Sequence, residues 1–153
     1  ASPFNNYYNY TLSQQIYTAE ELGTAGLIHS IDFYKPNTIE CNRTLDIYMV
    51  STAKSSFSSP SDWIAVTAAD LVFSGTVSFA NNDWTTIELD KPFIYDGQQN
   101  VAIIIDDNTN VYKSNTTFYT FTPTTTNQAL YVRSDGTNYD PTNPSSYVAT
   151  VSN

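Results

Sequence analysis

Three oxygen-bearing side chains stand in a row at Asp106, Asp107 and Asn108, where an apolar run meets a polar loop. Hard divalent cations are held by carboxylate and carbonyl oxygens, so the run predicts a structural calcium site, although it lacks the spacing of an EF-hand loop. A second group follows from strand alternation. With the segments around Tyr34 and Tyr48 as neighbouring strands, Tyr34, Tyr48, Asp32 and Asp46 share one solvent face beside Ser30 and Thr44. Aromatic faces next to short polar side chains suit sugar rings, which offer apolar C–H patches and hydroxyls together. Exposed aromatics otherwise mark protein contacts. The expectation is a face that binds carbohydrate or a surface protein; the alternative is that a loop or second sheet covers the rings.

Groups that transform a substrate are scarce. His29 is the one histidine and Cys41 the one cysteine, so neither a multi-histidine metal site nor an internal disulfide is possible. Alternation puts His29 on the apolar face of its strand with Leu27, Ile31 and Phe33. No nucleophile elbow, glycine-rich phosphate loop or His-Glu-x-x-His segment occurs. Two carboxylates at a set separation suffice for glycoside hydrolysis. Five of the eleven Asp residues (Asp62, Asp90, Asp96, Asp135, Asp140) are expected instead in turns, where the side chain bonds its own backbone. The expectation is no enzyme. Asn9, Asn42 and Asn115 each open an N-glycosylation acceptor pattern, which matters only in a eukaryotic source.

These residues must be positioned by strands. Asp83 to Asn108 holds two of them: Trp84 to Leu89, then, beyond Pro92 and the Asp96-Gly97 turn, Asn100 to Asp106, the most apolar run of the chain. That run is too short and too β-branched for a buried helix and predicts a central strand covered on both faces. Leu27 to Tyr34 and Arg43 to Val50 alternate cleanly and are expected to pair antiparallel across Pro36-Asn37. Further strands are expected at Gly75 to Phe79, Thr117 to Phe121, Gln128 to Arg133 and Tyr147 to Val151, with a turn at Pro123. Thr18 and Glu21 have capping-box spacing for one helical turn ended by Gly23, and Ala68 to Val72 is read as a short helix. Nine to ten short strands with almost no helix and no internal repeat predict one all-β domain over residues 1–153, an antiparallel two-sheet β-sandwich of jelly-roll type.

Composition narrows the partners. Fifteen acids against six bases give a net charge of -9, which argues against nucleic acid because phosphate binding draws on clustered Lys and Arg. No apolar segment approaches the roughly 18 residues that span a bilayer, so membrane insertion is not expected. Charged residues make up 14% of the chain, against the ~25% usual for soluble domains, so polarity comes from Thr, Ser and Asn, as in many secreted β-proteins. A first residue Ala1 without Met is what a processed protein or excised module would show. A secreted or cell-surface location is expected.

The segments Ile16 to Leu22, Ile31 to Tyr34, Arg43 to Met49, Asp62 to Ile64, Phe73 to Val77, Trp84 to Leu89 and Pro92 to Gly97 together resemble the adhesin-type modules of large secreted and cell-surface proteins of Bacteroidetes. They are similar to the cleaved-adhesin domains that accompany gingipains and haemagglutinins. The resemblance implies a jelly-roll sandwich, often calcium-stabilised, that adheres to host proteins or glycans and catalyses nothing. It carries no shared binding motif onto these residues. It also implies one more apolar strand than the chain shows before Asn153, so the module is cut short or another chain fills that position by strand addition. The alternative to an adhesion module is a structural subunit of a surface filament or layer.

Overall fold

The computed structural model describes residues 4–120 and 125–153. In chain order its elements are β1 (Tyr10–Tyr17), α1 (Ala19–Leu22), β2 (Gly26–Lys35), β3 (Cys41–Thr52), β4 (Leu71–Phe79), β5 (Asp83–Tyr95), β6 (Asn100–Asp107), β7 (Ala129–Ser134) and β8 (Thr150–Ser152). A six-stranded antiparallel sheet, ordered β4-β3-β6-β1-β7-β8, packs against a two-stranded sheet of β2 and β5. This is the two-sheet sandwich that the strand pattern predicts, built unevenly.

The apolar run at β6 sits mid-sheet between β3 and β1, and its alternate residues feed two cores. Val101 and Ile105 face the front, toward β2 and β5, with Leu45, Ile47 and Met49 of β3 and Ile87 and Leu89 of β5. Ala102 and Ile104 face the back with Leu12, Ile16, Tyr48 and Leu130. No second sheet covers the back core among the described residues. The connection after β3 does so through Phe57, Ile64 and Val66, and the segment before β8 through Ala149.

Gln14 fastens that cover. Its carboxamide accepts from the Ile64 N–H (2.8 Å) and donates to the Ile64 carbonyl (2.9 Å) inside the core, so both polar ends of a buried side chain are satisfied. Trp63 Nε1 donates to the Tyr147 carbonyl at 2.9 Å and ties the two covering segments together.

Several local expectations hold. Thr18 and Glu21 form a reciprocal capping box on α1, with Gly23 at its C-cap. Asp96 Oδ1 accepts from the Gln98 and Gln99 N–H groups. Gly97, at φ 75°, lies where a Cβ would come 2.8 Å from the Ala25 nitrogen, so only glycine fits this turn. The helix expected at 68–72 is a single 3-10 turn, Ala68–Asp70.

Others are corrected. β2 pairs with β5 and β3 with β4 and β6, so the segments around Tyr34 and Tyr48 lie in different sheets and are not neighbours. The connection from Pro36 to Glu40 crosses between sheets instead of making a hairpin. β5 runs on through Pro92 as one strand, because Leu89 to Pro92 stand opposite His29 in a bulge where the proline's missing N–H has no partner to lose. The same bulge breaks the alternation of β2 and leaves His29 exposed, off the apolar face. β1 itself escaped the sequence reading. Thr117 to Thr120 are not strand, and Phe121 and Pro123 lie outside the described residues.

Candidate functional site

Tyr34 and Trp84 are direct cross-strand partners on the outer face of the two-stranded sheet, and their rings pack at 5.3 Å between centroids. Tyr119 meets Tyr34 from its other side at 5.5 Å and 76°. Trp84 and Tyr119 are 61% and 71% exposed, values unusual for rings of this size. Two residues along the strand, Asp32 stands opposite Thr86, whose hydroxyl donates to its carboxylate at 2.5 Å.

Buried residues hold these rings. Phe118 packs on Phe4 (4.7 Å) and Phe79 (4.8 Å), with Phe33 at the edge of the cluster. The next residue, Tyr119, donates its N–H to the Tyr34 carbonyl at 2.9 Å. Lys35, fully buried at the end of β2, donates to the carbonyls of Asn37 and Ile39 and to Asn81 Oδ1, at 2.7–2.8 Å. Burial lowers the pKa of its ammonium, and the ring of carbonyl oxygens replaces lost water. Neighbouring Asn82 accepts from the Tyr34 hydroxyl at 3.3 Å.

Behind the rings a cleft of about 270 Å³ opens between the sheets. Its inner wall is apolar, with Ile31 and Phe33 of β2 against Ile103 and Ile105 of β6. Its floor is polar, from Gln15 and Tyr17 of β1 and from Glu21 and Gln128. Glu21 accepts from the Thr18 N–H and hydroxyl and from Gln128 Nε2. Partial burial pushes its carboxyl up, and those hydrogen bonds outweigh it to leave the pKa lowered. Gln128 Oε1 is buried and has no hydrogen-bond partner among the described residues. Such an acceptor is costly until a donor reaches it.

The sequence-predicted ligand face divides. Tyr34 and Asp32 sit together at this cleft. Tyr48 is 8% exposed in the back core, under the loop carrying Phe57 and Ile64, and Asp46 is on the same back face. The alternative of covered rings therefore describes Tyr48. Trp84 and Tyr119 were missed. Trp84 shares parity with Thr86 and Glu88, opposite to Ile87 and Leu89, and that signal marks it as outward; Tyr119 carries no such signal.

The predicted metal run divides as well. Asp106 and Asp107 point to opposite faces, as consecutive strand residues must. Asp107 is fully buried on the front, taking two hydrogen bonds from Arg43 (2.8 and 2.5 Å) and one from the Thr109 hydroxyl. Asp106 faces back, beside its cross-strand partner Asp46, and Asn108 Nδ2 donates to both (3.0 and 3.3 Å). Burial, the largest effect, pushes the Asp106 carboxyl up to about 7, with Asp46, Asp107 and Asp140 adding repulsion. The three predicted ligands do not converge, and among the described residues no group of three or more His, Cys, Asp or Glu is disposed to hold a metal ion.

A scan against protein-family models finds no match, and searches of curated proteins and of solved structures likewise find none.

Proposed function

We propose that the chain is a non-catalytic binding module, secreted or displayed at a cell surface, that holds carbohydrate through Tyr34, Trp84 and Tyr119. The observation that carries the reading is the exposed ring cluster at the mouth of a cleft whose Gln128 Oε1 lacks a donor among the described residues. Sugar C–H faces stack on the rings, hydroxyls bond to Asp32, and a hydroxyl reaching inward satisfies Gln128. The carboxylates lining the cleft, Asp32 and Glu21, are each committed to hydroxyl or amide donors. The adhesin resemblance points the same way.

Calorimetric titration with neutral oligosaccharides tests this. Trp84→Ala and Tyr119→Ala are each expected to weaken binding by about 10-fold, the loss of an exposed aromatic anchor worth ~1.4 kcal/mol. Unchanged affinity in both variants discards the site.

A second reading, a subunit of a surface filament or layer, draws support from the sheet rim. β8 covers only Ala129 to Tyr131 of β7. Val132 to Ser134 therefore lack a strand partner on that side among the described residues, and a strand from another copy can add there. Light scattering over a dilution series decides it; a monomer at all concentrations removes this reading.

A further inference from the structure

We propose that the chain carries a second ligand site, where β1 begins and β7 ends, that takes an acidic sugar through Arg133. Of the other five bases, Lys35 is enclosed by carbonyls, Arg43 is buried on Asp107, Lys54 is paired with Asp62, Lys91 donates to the Ala69 carbonyl, and Lys113, though exposed, lies over no ring among the described residues. Arg133 is exposed, and among the described residues it has aromatic partners only. Its guanidinium lies 4.8 Å from the Tyr8 ring centroid and 5.6 Å from that of Tyr131. The nearby carboxylate of Asp135 is engaged by the Asn9 N–H.

Stacking uses the faces of a guanidinium and leaves its N–H edge free, the geometry that accepts a planar carboxylate in two parallel hydrogen bonds. Around it the rings continue outward. Tyr7 packs on Tyr8 at 5.7 Å and on Tyr112 at 6.2 Å, and Tyr7 and Tyr112 are largely exposed. A sugar acid offers what this surface lacks, a carboxylate for the guanidinium and C–H faces for the rings.

The platform is built before any ligand arrives. Buried Arg43 donates to the carbonyls of Tyr8 (3.3 Å) and Val111 (2.7 Å), and the Lys113 and Asn110 N–H groups donate to the carbonyls of Asn6 and Asn9. A preorganised surface spends less of its binding energy on ordering itself. This site shares no residue with the cleft at Trp84, where no Lys or Arg is among the described lining residues.

The test is titration of the full chain with oligogalacturonate and with a neutral galacto-oligosaccharide. Arg133→Gln is expected to lower affinity for oligogalacturonate at least 10-fold, consistent with one bidentate charged contact. Arg133→Lys, which keeps the charge and loses the planar fork, should fall between. Trp84→Ala should leave oligogalacturonate binding unchanged, and thermal melts should show all three variants folded. The proposal is overturned if the wild-type chain shows no saturable binding of oligogalacturonate, if Arg133→Gln binds it as tightly, or if Trp84→Ala abolishes it.

Discussion

Two exposed clusters of rings among the described residues are made from nearly the same residue types, and they differ in what orders them. Tyr34 and Trp84 are set by register, since they stand opposite each other on paired strands backed by the front core. Tyr7, Tyr8 and Tyr112 lie on irregular chain, set by the hydrogen bonds of the buried Arg43 guanidinium together with the backbone bonds from Asn110 and Lys113. The neighbours differ too: Asp32 and Glu21 accompany the first cluster and Arg133 the second. Aromatic surface supplies affinity for a sugar ring in general, and the charge beside it selects which sugar.

The sharpest way to separate the two is to remove the support of one. Asp107→Ala leaves Arg43 charged, buried and unpaired, which costs about 3–5 kcal/mol in urea unfolding. The loss should fall on the Arg133 cluster; equal loss of neutral-sugar binding at Trp84 would show that both clusters rest on the same pin.

Asp106 offers a control on the opposite face. Its folded pKa of about 7 lies above the ordinary value of 3.8, so the folded chain binds more protons than the unfolded one between those values. Its contribution to stability is full below about pH 4 and is lost as pH rises through about 7. Asp106→Asn should therefore match the wild type near pH 4 and exceed it at pH 8 by ~1–3 kcal/mol, with neither ring cluster affected. A constant stability difference between pH 4 and 8 would contradict the assignment.

The smallest expected change comes at the hydroxyl that holds Asp32. Thr86→Val keeps the shape and removes the donor, and the freed carboxylate should cost neutral-sugar affinity a few-fold, the ~1 kcal/mol of one hydrogen bond. No change would move the work of that cluster onto its rings alone.

What could be read in advance follows from the range of the forces involved. β6 was legible because burial on both faces demands an unbroken apolar run, and the capping box and Asp96-Gly97 turn because their partners lie within three residues. β1 was not, since its inner positions include Ser13, Gln14 and Gln15, and Gln14 is acceptable inside only because Ile64, fifty residues away, completes its hydrogen bonds.

The sequence by itself determined that this is a β-protein with many rings, few bases, one histidine and one cysteine, because composition and two-residue alternation are local properties. Which rings meet was decided by the tertiary structure. Tyr34 and Tyr48 alternate alike along their strands, yet one lies at the surface and the other under a loop. Strand order and the bulge at His29 depend on pairings between residues far apart in the chain, and no local pattern encodes them.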